Sequence, residues 1–536
     1  MKTRNDILIT GKEAADLLCV SEATIKNWVK SGVLEQKNMY FVRKDILKIS
    51  DKIRKKELPR LSSRANKRGV TICGHDGHSD MDSLTDNSYQ ELKSPGMRSM
   101  EGSFYTPDNI VSEIVSESVP EKGQFSIYDP CCGTGRFLQA VFDQCGVRAV
   151  IRGSDKDEKA LYIAERSLKD AGSVTHELNL ADSLFVEETR KYDRIFTNPP
   201  WGAYLSAVQK KKLKFIYNEA SIDDSLGFFI AKGLRSLKPS GIMSYVLPES
   251  FLYSHRFSPL RKFILQKATV KKIKSYGNAF KGVFSGVIRI DIEKSDPGNN
   301  IVEVILPLEK YECPQIDFYS EYDNLINIFM LPKDRELINE IYSRNNVYLK
   351  DSSDWSLGIV TGNNKKYLRS EQSDDFSEKI ISGTNIQPYR ISNQFKFLYN
   401  DRTAFHQVPK KELFSAPEKL VYRFVNNKLV FALDRSGMAA INSANVLIPR
   451  LRGYSILAIL AILNSKLMNY IYRNKFRSLK VLRSYLEQLP FPKNPDKRII
   501  HLIESKTNRI INSDIQSDNI KTEIDKHVEE LYGVGI

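Results

Sequence analysis

Ser126-Ile127-Tyr128-Asp129-Pro130-Cys131-Cys132-Gly133-Thr134-Gly135 is the stretch that decides the fold. A short apolar run ends in an acid and a proline, two glycines follow, and residues 136–145 then read as a helix. Strand, glycine turn, helix is the opening of a βαβ unit. Gly133 and Gly135 carry no Cβ, so the backbone there can pass close to a ligand. The loop lacks the Lys-Ser/Thr of a phosphate-binding P-loop and the full GxGxxG spacing of a dinucleotide fingerprint.

Working outward, the alternation continues. Residues 149–153 predict a strand, 158–171 a helix, 192–197 a strand, 224–237 a helix and 241–247 a strand. That pattern is a doubly wound, Rossmann-like α/β domain over residues 101–300, with ligands expected at the carboxyl ends of its strands. Two acids stand at such ends. Asp155 closes the second strand about 20 residues after the glycine loop, where an acid can bind ribose hydroxyls. Asp182, in Leu180-Ala181-Asp182-Ser183, closes the third strand region and can accept a bond from a ring amine. Taken singly, each piece has a plain alternative: a tight turn, a surface acid, a helix cap.

Asn198-Pro199-Pro200-Trp201 follows the strand at 192–197. Two prolines rule out a helix or a central strand, so the backbone turns there. The turn gathers an amide oxygen, a proline carbonyl and an aromatic face. That set suits a flat heterocycle with an amino group: two acceptors for its N–H bonds and one face for stacking.

Before this domain, residues 10–34 read as two short helices with a tight turn, Ser21 capping the second and Gly32 ending it. A short strand at 40–45 and another helix follow. Over residues 1–55 this resembles the winged helix-turn-helix of MerR- and excisionase-type DNA-binding modules. In such modules the second helix enters the major groove, and here it offers Thr24, Lys26, Asn27 and Lys30. Residues 56–100 are polar and without periodicity, a flexible linker. Residues 301–345 read as a connector, 346–495 as short strands and loops with one long helix at 456–473, and 496–536 as a polar helical tail.

The chain has 536 residues, too many for one core. No apolar run approaches the roughly 20 residues of a membrane span, and the N-terminus lacks the apolar core of a signal peptide. Six cysteines without CxxC pairs point to a reducing cytoplasm. Cys73, His75 and His78 lie in an unpatterned stretch, and no metal site is expected there. The net charge is +15, and its distribution matters more. Residues 250–290 hold nine Lys/Arg and no acid, and residues 446–486 hold eight and no acid, among them Arg450 and Arg452. Lys210, Lys211, Lys212 and Lys214 follow the double-proline turn directly. Three acid-free basic stretches point to a polyanion partner.

In order along the chain, Phe104-Tyr105-Thr106-Pro107, the DPCCGTGRF loop, Asp155, Asp182, NPPW and Val246-Leu247-Pro248-Glu249-Ser250 resemble the motifs of adenine-N6 DNA methyltransferases. Cofactor motifs before the catalytic one, and recognition sequences last, is the order of the gamma class, the TaqI-like type. The resemblance covers residues 101–495. It implies a class I methyltransferase fold and a mixed α+β target-recognition domain. It implies S-adenosylmethionine held by Thr106, Asp129, Gly133, Gly135, Asp155 and Asp182, and catalysis by Asn198, Pro199, Pro200 and Trp201. It implies stacking of an extruded adenine on Trp201 and Phe280, with Phe284 a second candidate. It implies duplex DNA as partner, touched by Thr24, Lys26, Asn27, Lys211, Lys212, Arg450 and Arg452, and leaves open a separate restriction endonuclease. Residues 379–389, 459–465 and 489–492 are similar to target-recognition regions of such enzymes.

A methyltransferase for protein glutamine or an RNA base also uses NPP and an aromatic, but it leaves the basic C-terminal third and the helix-turn-helix unexplained. A regulator with a dead methyltransferase domain conflicts with the intact Asn198, Asp155 and glycine loop. A fused restriction–modification polypeptide lacks a recognisable nuclease pattern in this sequence.

Overall fold

Among the described residues of the first 328, nine strands pair into one sheet. The computed structural model describes residues 8–18, 25, 28–29, 34–36, 40–54, 85–86, 89, 105–218, 222–278, 286–319, 322–476, 478–512 and 518–535. The chain divides into two compact units, Met1–Ile328 and Phe329–Ile536.

At the start of the first unit, β1 (Leu8–Thr10) pairs antiparallel with β2 (Tyr40–Val42), beside α1 (Gly11–Leu17) and α2 (Arg43–Arg54). Thr10 caps α1: its Oγ1 accepts from Glu13 N at 3.2 Å while its own N donates to Glu13 Oε2 at 2.7 Å. Ala14, Ala15, Ile25, Trp28, Phe41 and Ile46 bury a small core of their own. Thr24, Lys26 and Asn27, expected on a recognition helix, lie outside the described residues, as do Cys73, His75 and His78.

The large sheet is built from β3 (Phe125–Asp129), β4 (Ala149–Asp155), β5 (His176–Leu180), β6 (Tyr192–Thr197), β7 (Leu237–Pro248), β8 (Thr269–Gly277), β9 (Val287–Glu293), β10 (Ile301–Ile305) and β11 (Lys310–Pro314). Its order is β11-β10-β8-β9-β7-β6-β3-β4-β5. Strands β5 to β7 run parallel through β4, β3 and β6, and β9 inserts antiparallel between β7 and β8. This is the mixed central sheet of a class I methyltransferase-like α/β fold. The sheet runs on to Pro314, past residue 300, because β10 pairs parallel with β8. Helices α3 (Asp108–Ser118), α4 (Arg136–Cys145), α5 (Glu158–Asp170), α6 (Ala207–Ile216), α7 (Ser225–Ser236) and α8 (Ser258–Lys267) accompany it. Ile110, Ile114, Leu138 and Val141 of α3 and α4 pack on Ile127 and Ile151 of the sheet. Chain order turns back at β3, whose neighbours are β4 on one side and β6 on the other. A crevice forms at such a switch point, outside the carboxyl ends of the strands.

The second unit holds two four-stranded sheets; one of them packs with helices Ile456–Asn464, Lys466–Phe476, Lys497–Asn512 and Asp518–Tyr532 around a shared apolar core, and the other has its own core at Leu368, Ile380 and Leu398. The single helix expected over 456–473 is broken at Ser465. Its buried Oγ donates to Ile462 O at 2.7 Å and accepts from Met468 N at 3.2 Å, ending one helix and capping the next. The polar tail contributes Ile499, Ile503, Ile524 and Val528 to the core. Among the described residues, no helix is long and apolar enough to cross a membrane.

Candidate functional site

The glycine loop leaves β3 at Asp129 and enters α4 at Arg136. Gly133 has φ +54° and Gly135 φ +84°, both left-handed, where only glycine is unstrained. A Cβ at Gly135 would stand 2.8 Å from Ala164 Cβ, whereas one at Gly133 would meet nothing within 4 Å. Gly135 therefore lets α4 close on α5, and Gly133 leaves the face of the loop open.

Asp155 clamps that loop from the end of β4. Its Oδ2 accepts from Gly133 N at 2.8 Å and its Oδ1 from Asp157 N at 2.9 Å. Asp182 caps a short turn after β5, Oδ1 accepting from Leu184 N at 3.3 Å. The neighbouring Ser183 Oγ donates to Pro130 O at 2.6 Å, tying this turn back to the loop.

Asp129 is buried at the end of β3. Its Oδ1 accepts from Thr197 Oγ1 at 2.6 Å and from Cys131 N at 3.1 Å. Burial, reinforced by Asp155 nearby, pushes the carboxyl up to about 7 against these two bonds. Cys131 Sγ lies 2.9 Å from Thr197 Oγ1. Since Thr197 donates to Asp129, the thiol donates to Thr197, and burial pushes the thiol well above its usual range, keeping it protonated.

Asn198 and Pro199 emerge from β6. Asn198 Nδ2 donates to Thr106 Oγ1 at 3.1 Å, which fixes the nitrogen end of the amide and leaves Oδ1 as its acceptor end. Pro200 O accepts from Ser225 Oγ at 3.0 Å, anchoring the turn to α7. Trp201 Nε1 donates to Val246 O at 3.3 Å, and its ring packs against the core beneath the sheet.

Thr106, Asp129, Gly133, Asp155, Asp182, Asn198 and Pro200 all line one cleft. Gly135, Pro199 and Trp201 shape its walls without lining it. Phe280 and Phe284 lie outside the described residues. The cleft also takes in residues to which sequence reasoning gave no part: Tyr89, Tyr105, Arg136, Asp157 and Tyr204. Tyr105 stands beside Thr106 in a quoted motif, but Tyr89 sits in the stretch read as linker and carries no local signal.

Lys211 and Lys212 are exposed on α6, which Ser206 and Gln209 cap by a reciprocal pair of bonds at 3.3 and 2.9 Å. On the same helix Val208 and Phe215 are 79% and 86% exposed. In the second unit Arg450 and Arg452 are exposed just after the strand Ala444–Pro449, and Arg450 pairs with Asp354.

Residues 93–283 match the N-6 DNA Methylase family and residues 378–491 the TaqI-like C-terminal specificity domain. The chain is 31% identical over 396 residues to the type II methyltransferase M.VspI of Vibrio sp. (strain 343), covering 70% of this chain and 95% of that one. It is 29% identical over 211 residues to the type II methyltransferase M.HincII of Haemophilus influenzae, covering 37% of this chain and 38% of the relative. In structure it is similar to the Type IIL restriction-modification enzyme MmeI in complex with DNA, with a TM-score of 0.59 at 13% identity over 84% of this chain and 78% of the other.

Proposed function

This chain belongs to the N-6 DNA methylase family and carries a TaqI-like C-terminal specificity domain, and from that premise we propose that it methylates the N6 amine of an adenine drawn out of duplex DNA, as the modifying enzyme of a restriction–modification system. The observation that carries the reading is the meeting of Asn198 with the glycine loop and Asp155 on one cleft.

The cleft fits S-adenosylmethionine by the chemistry of its donors. Ribose hydroxyls and ring amines need acceptors, and Asp155 and Asp182 supply them. A cationic ligand suits a wall that carries Asp155, Asp157 and Asp182. The open face at Gly133 admits the ligand beside the backbone. Thr106, Asp129, Gly133, Asp155 and Asp182 would hold it, with Gly135 shaping the turn. When bound, the cofactor supplies a methyl group activated on a sulfonium.

The chain's own residues then act on the base. An adenine amine is a poor nucleophile because its lone pair is delocalised into the ring. Asn198 Oδ1 and the Pro199 carbonyl accept its two N–H bonds and favour a pyramidal nitrogen with an available lone pair. Positioning and fixed dipoles do the work, with no covalent intermediate on the protein. Pro200 and Trp201 hold the turn from behind, through Ser225 and Val246. Extruding the base costs a few kcal/mol, offset by stacking on Phe280 worth roughly 1–3 kcal/mol. The motif order supports a gamma-class, TaqI-like assignment. Lys211 and Lys212 on α6 and Arg450 and Arg452 in the second unit bind phosphate. By its resemblance to a helix-turn-helix module, the segment 1–55 would add Thr24, Lys26 and Asn27 to the DNA contact, and the reading leaves room for a nuclease on a separate chain.

Purified protein with methyl-labelled S-adenosylmethionine and duplex DNA places label on adenine; label confined to cytosine, RNA or protein would overturn the reading. Lys211→Ala with Lys212→Ala weakens binding across all sequences and lowers the log–log salt slope by about 1 to 2, at roughly 0.9 per phosphate contact. An unchanged slope removes α6 from the DNA interface.

A further inference from the structure

Asp86 and Tyr89 precede the family match at residues 93–283 and sit in a stretch that reads as linker. Yet Tyr89 lines the cleft, and Asp86 bonds Thr134 and Arg136, which do. Tyr89 is 3% exposed, packs on Ala160 and Ile163 of α5 with Tyr105 against it, and lines the cleft. Its hydroxyl donates to Asp157, the residue that caps α5 and whose N–H donates to Asp155. Asp86 holds the other side of the loop. Its Oδ1 accepts from Thr134 Oγ1 at 2.6 Å, and its Oδ2 accepts from Arg136 Nε at 2.7 Å and pairs with Nη2.

Arg136 is the first residue of α4. A cation there opposes the helix dipole, so it needs a partner carboxylate. Asp86 supplies one. The guanidinium is then free to donate through Nη1 to Thr106 O at 3.0 Å and Asp108 Oδ1 at 2.8 Å. Thr106 in turn accepts from Asn198. One connected set of bonds therefore runs from Asp86 through Arg136 and Thr106 to the catalytic amide.

We propose that Tyr89 is a binding residue of the cofactor site and Asp86 a positioning residue that sets the glycine loop and, through Arg136 and Thr106, Asn198. The inference rests on the reading of this cleft as the S-adenosylmethionine site. It implies that the cofactor site begins upstream of the recognisable family sequence.

The test uses the full-length protein and S-adenosylhomocysteine, titrated calorimetrically. Tyr89→Ala weakens binding tenfold or more, and Tyr89→Phe, which keeps the ring and loses the hydroxyl that bonds Asp157, stays within about threefold of wild type. Asp86→Asn raises KM for S-adenosylmethionine and lowers kcat as well, several-fold each, while the ligand-free melting temperature holds. If wild type binds no S-adenosylhomocysteine, the cofactor reading itself fails. If wild type binds and Tyr89→Ala binds equally well, or Asp86→Asn leaves kcat unchanged, this proposal fails and the cofactor reading stands. Should Tyr89→Ala not fold, hydrogen exchange of wild type decides: S-adenosylhomocysteine slows exchange at Tyr89 together with the glycine loop. Slowing at the loop alone overturns the proposal.

Discussion

Thr106 orients Asn198: its Oγ1 accepts from Asn198 Nδ2, and that bond sets which end of the amide is nitrogen and which is oxygen. Asn198→Ala lowers kcat by roughly 10²–10³, the cost of one lost transition-state hydrogen-bonding group, and leaves S-adenosylhomocysteine binding within a few-fold. Thr106→Val, which removes the acceptor at similar volume, lowers kcat about fivefold for the roughly 1 kcal/mol of one hydrogen bond, and Thr106→Ser restores it. Single-turnover transfer on duplex DNA measures both, and a fully active Asn198→Ala would remove the residue from the reaction. Asp129 makes a different prediction. Both of its bonds fall on Oδ1, so an Asn at 129 keeps them with its carbonyl oxygen. Its folded value near 7 lies above the ordinary carboxylate value of about 3.9. Between about pH 4 and 7 the unfolded chain has released this proton and the folded chain still holds it, so stability falls as pH rises through that window and levels off above it. Asp129→Asn lacks that decline, which is on the order of a few kcal/mol at 1.4 kcal/mol per pH unit. Urea unfolding at pH 5 and pH 8 shows wild type losing stability relative to Asp129→Asn on going to pH 8; parallel losses would mean that Asp129 ionises normally.

The two glycines of the loop separate stability from binding. Gly135→Ala puts an L-residue at φ +84° with its Cβ 2.8 Å from Ala164, adding a clash between α4 and α5 to a left-handed penalty of about 1–2 kcal/mol. Gly133→Ala carries the penalty alone, since its Cβ meets nothing, but places a methyl on the face open to ligand. Thermal unfolding and S-adenosylhomocysteine titration together show Gly135→Ala as the less stable of the two and Gly133→Ala, still folded, with the weaker binding; the reverse ranking would misplace the ligand. Elements like this loop were legible because their signals are local. The helix Arg136–Cys145 and the strand Tyr192–Thr197 have the bounds that their apolar periods and flanking glycine or proline predict. Other elements depend on distant partners. The β10–β11 hairpin carries Glu303, Lys310 and Glu312, so its apolar alternation is faint, and only pairing of β10 with β8 makes it part of the sheet. The insertion of β9 between β7 and β8 is a matter of topology, invisible to periodicity. Ser465 falls within an apolar helical period, and its role as a break lies in its side-chain bonds. Asp86 and Tyr89 are isolated residues among polar ones, and nothing nearby announces that they meet the glycine loop. That the glycine loop, Asp155, Asp182 and Asn198 belong together could be read in advance from their order; that Tyr89 shares their cleft could not.

At the scale of the whole chain, division of labour follows from where apolar surface is buried. The large sheet buries its own apolar residues, from Ile127 of β3 to Val304 of β10, and the second unit holds a separate cluster from Met330 to Tyr532. All the cleft residues, from Tyr89 to Phe229, belong to the first unit, whereas the TaqI-like specificity sequence at 378–491 belongs wholly to the second. A fragment of residues 1–328 is therefore expected to fold, unfold in one cooperative transition and bind S-adenosylhomocysteine within about threefold of the full chain. Its residual DNA affinity comes from α6 and its neighbours and is steeply salt-dependent. It lacks the factor of roughly 10³–10⁷ by which a specific site exceeds random sequence. Circular dichroism on heating, calorimetric titration and competition between the methylated sequence and a scrambled duplex measure the three properties. A fragment that folds but fails to bind S-adenosylhomocysteine would mean that the second unit completes the cofactor site. A fragment that still discriminates between the two duplexes would move sequence reading into the first unit, where the basic stretch at 250–290 and the segment before residue 55 are the elements left to provide it.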